Sequence, residues 1–348
     1  MSAYNRAVTR IAILFLLGCS ALLSQTSAQT AASPGRADFN RGVDSYEGRG
    51  GTKQDYAEAA NWFRKAAEAG NAEAQNRLGQ MLAIGQGVPQ DEAEAAGWYR
   101  KAAEQGGALA QYNLGSIYVM GAGVTRDLVE ALKWFRKSGD QGFVGAQFNM
   151  GIAYRQGQGV AKDPAQAIGW FRKAADQGDA GAQFNLGVMY GSGEGAAKDP
   201  AQSLTWLKKS ADQGYAPAEL NMGMLYVVGT GVTRDFAQAI EWYRKAAEAG
   251  LPQAQDALRI MADAGYSPAM YVLGMVFERG WGSTEIDAEA VFWYRKAAEA
   301  GFPPAEYDLG RMLSEGKGTV QNAAEAKQWF QRAADAGVKE AQARLSAP

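Results

Sequence analysis

Apolar residues recur along this chain at helical spacing, in pairs of stripes parted by a short glycine-rich break. Between Gly106 and Gly142, residues Ala110, Leu114, Ile117 and Tyr118 fall three and four apart on one face. Gly121-Ala122-Gly123-Val124 then interrupts the stripe, because glycine accepts the positive φ of a tight turn. A second stripe follows at Ala131, Trp134 and Ser138. Asp127 stands where this second helix needs an N-cap, with Glu130 three residues on as in a capping box. Gly142 closes it as the residue after the C-cap. The pattern predicts two short helices joined by a turn.

The same choices return along the chain. Trp62, Trp98, Trp134, Trp170, Trp206 and Trp242 are each 36 residues apart, and Trp293 and Trp329 resume the interval after one step of 51. A fixed period of this size predicts a stack of small helical units rather than one globular core. A stack offers a long surface, which puts binding ahead of catalysis. Asp55, Asp91, Asp163, Asp199, Asp235 and Asn322 are the other N-cap candidates, and Pro164 and Pro200 take first helical positions. Glycine also recurs inside the first helix, as at Gly115 and Gly151. It costs about 1 kcal/mol there relative to alanine, so its repeated use predicts that two backbones pass close together. Small pairs after each tryptophan, such as Ala174-Ala175, allow the same closeness in the second helix.

The stretch Ala-Gln-Phe-Asn-Leu-Gly-Val-Met-Tyr-Gly-Ser-Gly-Glu-Gly at 182–195, followed by Asp199 and by Trp206 to Gly214, resembles a Sel1-like repeat, a relative of the tetratricopeptide repeat. The resemblance covers about residues 38–345. It implies an all-α, right-handed superhelical solenoid of helix-turn-helix repeats whose first helices line a concave face. Fold alone does not specify function.

Within the span 38–348 the repeat is broken at 251–265. That segment begins like a first helix (Pro252, Ala254, Gln255, Leu258) and runs directly into what resembles the tail of a second (Ile260 to Gly265). It reads as one unit shortened by about 21 residues, either a tolerated accident of duplication or a kink between two binding arms. The first unit is degenerate, with Arg49 where a loop glycine is expected, and 340–345 copies a first helix and stops.

Residues 1–28 read as an export signal: Arg6 and Arg10, an apolar run from Ile11 to Leu17, and small residues Thr26-Ser27-Ala28 before a cleavage point. Residues 29–37 read as a flexible lead-in. The apolar run is shorter than the roughly 20 residues a membrane span requires. Leu16-Leu17-Gly18-Cys19 also resembles a lipobox, so a lipid anchor at Cys19 stands as the alternative to soluble export. Cys19 is the one cysteine, so the exported chain has no disulfide and is held by packing.

The formal net charge of −2 becomes −4 once Arg6 and Arg10 are removed, which argues against a nucleic-acid partner. Basic pairs such as Arg64-Lys65 and Lys208-Lys209 are followed by acids four residues after the first member, which predicts ion pairs on a solvated helix face. No histidine is present, which removes Ser-His-Asp and Cys-His arrangements and histidine metal sites. No Walker-type phosphate loop occurs, and Gly191-Ser192-Gly193-Glu194-Gly195 lacks the preceding strand a phosphate cradle needs. Neither a cofactor nor a catalytic residue is indicated.

The candidate partner-binding residues are therefore on the repeats. Asn113, Asn149, Asn185 and Asn221 form a ladder of amides that both donate and accept, suited to an extended peptide or to bonding within the repeat itself. Tyr112, Phe148, Phe184 and Tyr271 stand one position earlier, either as core or as a sticky stripe. Trp281 sits between Gly280 and Gly282, either as an anchor for a partner or as cover for the shortened unit. The expectation is an exported, periplasmic, non-enzymatic scaffold or adaptor for a protein or peptide. A carboxylate-using envelope enzyme or glycan binder, and a secreted host-interaction factor, are the alternatives. Two acids converging in one closed pocket would favour the enzyme.

Overall fold

The computed structural model describes residues 34–346 apart from Thr52 and Ser283. The export signal, Cys19 and the start of the lead-in lie outside the described residues. Among those described there are eighteen helices and no strand. The chain divides into two compact units, residues 1–174 and 175–348.

The first unit holds four helix pairs: α1 (Arg36–Glu47) with α2 (Tyr56–Glu68), α3 (Ala72–Ile84) with α4 (Glu92–Glu104), α5 (Ala108–Met120) with α6 (Leu128–Asp140), and α7 (Val144–Gln156) with α8 (Pro164–Asp176), within which the boundary falls. The second holds α9 (Ala180–Ser192) with α10 (Pro200–Ala211), α11 (Ala216–Val228) with α12 (Phe236–Glu248), a lone α13 (Pro252–Asp263), α14 (Ser267–Arg279) with α15 (Asp287–Glu299), α16 (Pro303–Glu315) with α17 (Ala323–Asp335), and a final α18 (Lys339–Ser346).

Local chemistry sets these boundaries. The Asp127 carboxylate accepts from the backbone N–H of Val129 and Glu130 and so starts α6. At the other end Gly142 takes φ 93°, which lets its N–H reach Gly139 and lets the Phe143 N–H reach Ser138, a Schellman closure. The turn inside the repeat is tied by the Asp127 N–H donating to the Tyr118 carbonyl. In the first unit the helix stop comes one residue early, at Gly48 rather than at position 49, and α1 is one residue shorter than its counterparts.

The glycine inside a first helix makes room for a neighbouring side chain as well as for the close backbone expected. A β-carbon at Gly115 would lie 2.7 Å from the Phe135 ring, and one at Gly151 would lie 2.6 Å from the Phe171 ring. The space is needed by the side chain that follows each tryptophan, as well as by backbone such as the Ala131 carbonyl at 3.1 Å from Gly115. The small pairs also have a use between repeats. Trp170 is 4 % exposed and clusters with Ala131, Phe135, Ala146 and Met150 of the neighbouring helices. Trp134 and Trp242 are likewise buried in the cores that their units share with the preceding repeats, as stacking requires.

The lone α13 begins as a first helix and ends as a second. Leu251 precedes it and bonds back to Ala246 exactly as a first-helix entry does, while Gly265 and Tyr266 close it on Ala262 and Met261 in the second-helix manner. Ala254, Leu258, Met261 and Ala262 are buried along its length. It packs on both α12 and α14, which also meet each other.

Candidate functional site

The asparagine ladder lies largely within the repeats. Asn113 is buried and its Nδ2 donates to Asn76 Oδ1 of the preceding repeat at 2.9 Å, while its own Oδ1 has no partner. Asn185 is buried and donates to the Gly181 carbonyl at 2.8 Å; Asn221 is half-buried and donates to the Pro217 carbonyl at 2.9 Å. Asn149 is half-buried beside the Tyr112 hydroxyl.

The aromatic positions are half-buried and pair with rings of adjacent helices. Tyr112 meets Phe143 at 4.9 Å between centroids, Phe148 meets Phe171 at 5.8 Å, Phe184 meets Tyr215 at 5.5 Å, and Tyr271 meets Phe302 at 5.3 Å. These are geometries that favour the aromatic quadrupole, so one edge of each ring is committed to the fold. Trp281 is half-buried on its turn, packs against the core below and carries the Arg279 guanidinium 4.9 Å from its ring.

The basic pairs divide their work in a way the sequence did not disclose. The second member lies over the tryptophan of its own helix, as with Lys137 over Trp134 at 4.2 Å and Lys245 over Trp242 at 4.3 Å. Of the first members, Lys208 and Arg244 make the expected bridge four residues on, to Asp212 and Glu248. Arg64 instead pairs with Glu94, and Arg295 with Glu325, each 30 residues on.

A groove opens beside the lone helix. It holds about 340 Å³ and is lined by Ala237, Ile240, Glu241 and Arg244 of α12, by residues of α14 including Tyr271, Val272 and Met275, and by Phe302. Replacement of a helix pair by one helix brings α12 and α14 together and leaves this cleft. The walls are mostly apolar, with the Arg244–Glu241 pair at 2.7 Å as the polar edge. On α11, Met224 and Val228 are 52 % and 71 % exposed. Met224 and Met275 each follow the glycine of their first helix, so they hold the same place in their repeats.

Two acids do converge near this groove, but on an arginine. Arg311 Nη2 donates to Glu278 Oε1 at 2.6 Å and its Nε donates to Asp308 Oδ1 at 3.1 Å. The remaining oxygens accept from Tyr294 at 2.7 Å and from Tyr271 at 3.1 Å. Burial pushes the Asp308 carboxyl up despite Arg311. For Glu278 burial is outweighed by Tyr294 and Arg311, which hold it below the usual range. Asp308 stands at the ladder position of Asn113, so the cluster replaces the amide of other repeats. Among the described residues there is no cluster of acids able to hold a metal, and no helix long and apolar enough to cross a membrane.

The sequence model of the Sel1 repeat matches residues 36–71, 72–107, 108–143, 144–179, 180–215, 216–251, 267–302 and 303–338, stepping over the lone helix. Among solved structures, a protective antigen of uropathogenic Escherichia coli with an SLR fold is 36% identical, with a TM-score of 0.61 over 90% of this chain and 64% of its own. The chain thus spans less than two thirds of that relative. A Sel1 repeat protein from Oxalobacter formigenes is 34% identical, with a TM-score of 0.57 over 89% of this chain and 86% of its own. No curated protein matches. Sel1 repeat proteins are generally protein-interaction scaffolds without catalysis, and with eight matched repeats the chain belongs to the Sel1 repeat family.

Proposed function

We propose that this chain is an exported, non-catalytic scaffold that takes a protein or peptide partner on its first helices and in the groove between the second helix α12 and the first helix α14, the groove being the principal contact. The observation that carries the proposal is the groove itself, an apolar cleft made by the one interruption of the repeat. A cleft of this size admits a bulky side chain from a partner, and the exposed Met224 and Val228 extend apolar surface on a neighbouring first helix. The half-buried Tyr271 contributes to the wall, and the half-buried Phe184 and Asn221 stand on other first helices of the same unit. Trp281 adds a ring at its turn.

Export is proposed on the leader-like composition of residues 1–28, with the periplasm as destination. Mass spectrometry of the mature N-terminus distinguishes cleavage before Gln29 from lipidation of Cys19. The E. coli relative is described as a protective antigen, which favours a secreted host-interaction factor as the second reading. The carboxylate-enzyme reading would rest on Glu278 and Asp308, whose oxygens are already engaged by Arg311, Tyr271 and Tyr294. To test the scaffold, the wild-type chain and Met275→Glu are used as bait in extract of the exported fraction. Partners retained by the wild type and lost with Met275→Glu support the groove; identical retention by a folded variant counts against it.

A further inference from the structure

Glutamine amides fasten repeat to repeat at three places within the two units. Gln75, Gln111 and Gln183 are buried, and each Nε2 donates to the carbonyl eight residues before it, at Ala67, Ala103 and Ala175, over 3.1 to 3.2 Å. Each Oε1 then accepts from a glutamine 30 residues later, Gln105, Gln141 and Gln213 respectively, at 2.8 Å. One amide therefore joins the end of one second helix, the start of the following first helix and the end of the next second helix. An amide suits this place because it donates and accepts at once.

Two repeats carry glutamate there. At Glu306 an arginine restores what is lost. Arg332 Nη2 lies 2.7 Å from Glu306 Oε1 and 3.4 Å from the Ala298 carbonyl, the one eight residues earlier. At Glu219 nothing does so. The place 30 residues on is Ala249, which has no donor side chain. The counterpart of Arg332 is Lys245, whose single ammonium lies over the Trp242 ring. Glu219 is 5 % exposed and its Oε2 has no hydrogen-bond partner. The carbonyl it faces by repeat equivalence is that of Ala211, which receives the backbone N–H of Gly214 and lacks the side-chain donor its counterparts have.

We propose that Glu219 is a pH-operated latch at the repeat that precedes the lone helix. Protonated, its O–H donates to the Ala211 carbonyl as the glutamines do, and the end of α10 is tied to α11. When the proton leaves to water, two acceptors face each other and the tie opens beside α12, which also walls the groove. The charged groups of α12 near Glu219 are Lys245, Arg244 and Glu248. On α10, Lys208 is held by Asp212 and Lys209 lies over Trp206. Burial pushes the Glu219 carboxyl up, Lys245 and Arg244 oppose this, and Glu248 adds to it. A raised carboxyl contributes its stability in full below the ordinary value of 4.5 and loses it as pH rises through the folded-state value.

The test compares thermal unfolding and hydrogen exchange of the full chain with Glu219→Gln and Ala249→Gln, at pH 5 and pH 8. Glu219→Gln is expected to melt about 3 °C above the wild type at pH 8, with the gap narrowing as pH falls to 5. Exchange at the α10–α11 turn and the end of α12 should slow several-fold in the variant at pH 8 only. Ala249→Gln supplies the missing donor to the carboxylate and should also slow exchange at pH 8. A gap unchanged between the two pH values, or a destabilised Glu219→Gln with exchange unaffected by either variant, overturns the latch. The readout needs no partner, so its failure leaves the groove proposal standing.

Discussion

The indole of Trp170 rests on Gly139 of the preceding second helix, so close that a β-carbon there would meet Cζ3 at 3.1 Å. The tryptophan period and the small pair that follows each tryptophan are therefore two halves of one contact between repeats. Trp170→Ala is expected to destabilise the chain by about 3–5 kcal/mol through the cavity it leaves. Gly139→Leu should cost about 1–3 kcal/mol by overpacking. Urea unfolding followed by circular dichroism checks both, and a near-neutral Trp170→Ala would mean that the indole is not a structural contact.

The glutamine chain yields a reciprocal test of its role. Gln111→Glu should remove the donor to Ala103 at a regular repeat, as at Glu219, while Gln141 still supplies the donor that Glu219 lacks. The expected cost is about 1–3 kcal/mol at neutral pH, as for a buried carbonyl deprived of its donor. Because the new carboxyl should be raised by burial, the cost shrinks as pH falls, and melting curves at pH 5 and pH 8 measure it.

Arg311 holds Glu278 and Asp308 in a half-buried cluster. Arg311→Met removes the shared donor and leaves two acids facing each other. A loss on the order of 3 kcal/mol is expected, as when one member of a buried ion pair is removed. Lys208→Met, which breaks the exposed pair with Asp212, should cost under about 1 kcal/mol. Equal effects of the two substitutions in denaturant melts would contradict the structural weight given to Arg311.

Asp127 caps α6 through two backbone N–H groups. Asp127→Ala should cost about 1 kcal/mol, and Asp127→Asn only a few tenths. Calorimetry of the two variants separates loss of the cap from loss of the charge.

Much of this fold was readable from the chain because its determinants are local. Asp127 as cap, Gly142 as stop and Pro200 as first residue act within a turn or two, and the period of Trp62 to Trp242 reports stacking directly. What the sequence withheld depends on which residues face each other across repeats. The glycine at 115 reads as close backbone approach, yet the atom that needs its space is mainly the Phe135 ring, 20 residues on. Asn185 reads equally as a ladder rung or as an internal bond, and only the helix geometry shows it donating to Gly181. The Ala-Gln pair at 110–111 repeats visibly, but its meaning requires Gln141 to be opposite. The shortened unit at 251–265 was legible as a deletion, whereas the cleft it opens between Ile240 and Met275 was not.

The groove is tested most directly by photo-crosslinking in cells, with a benzophenone side chain placed at Met275 or at Ile260, an exposed apolar residue outside the groove lining. The account expects a discrete adduct with one partner from Met275 and none from Ile260. Adducts of equal yield and identity from both positions, or none from Met275 while Ile260 labels, would contradict it.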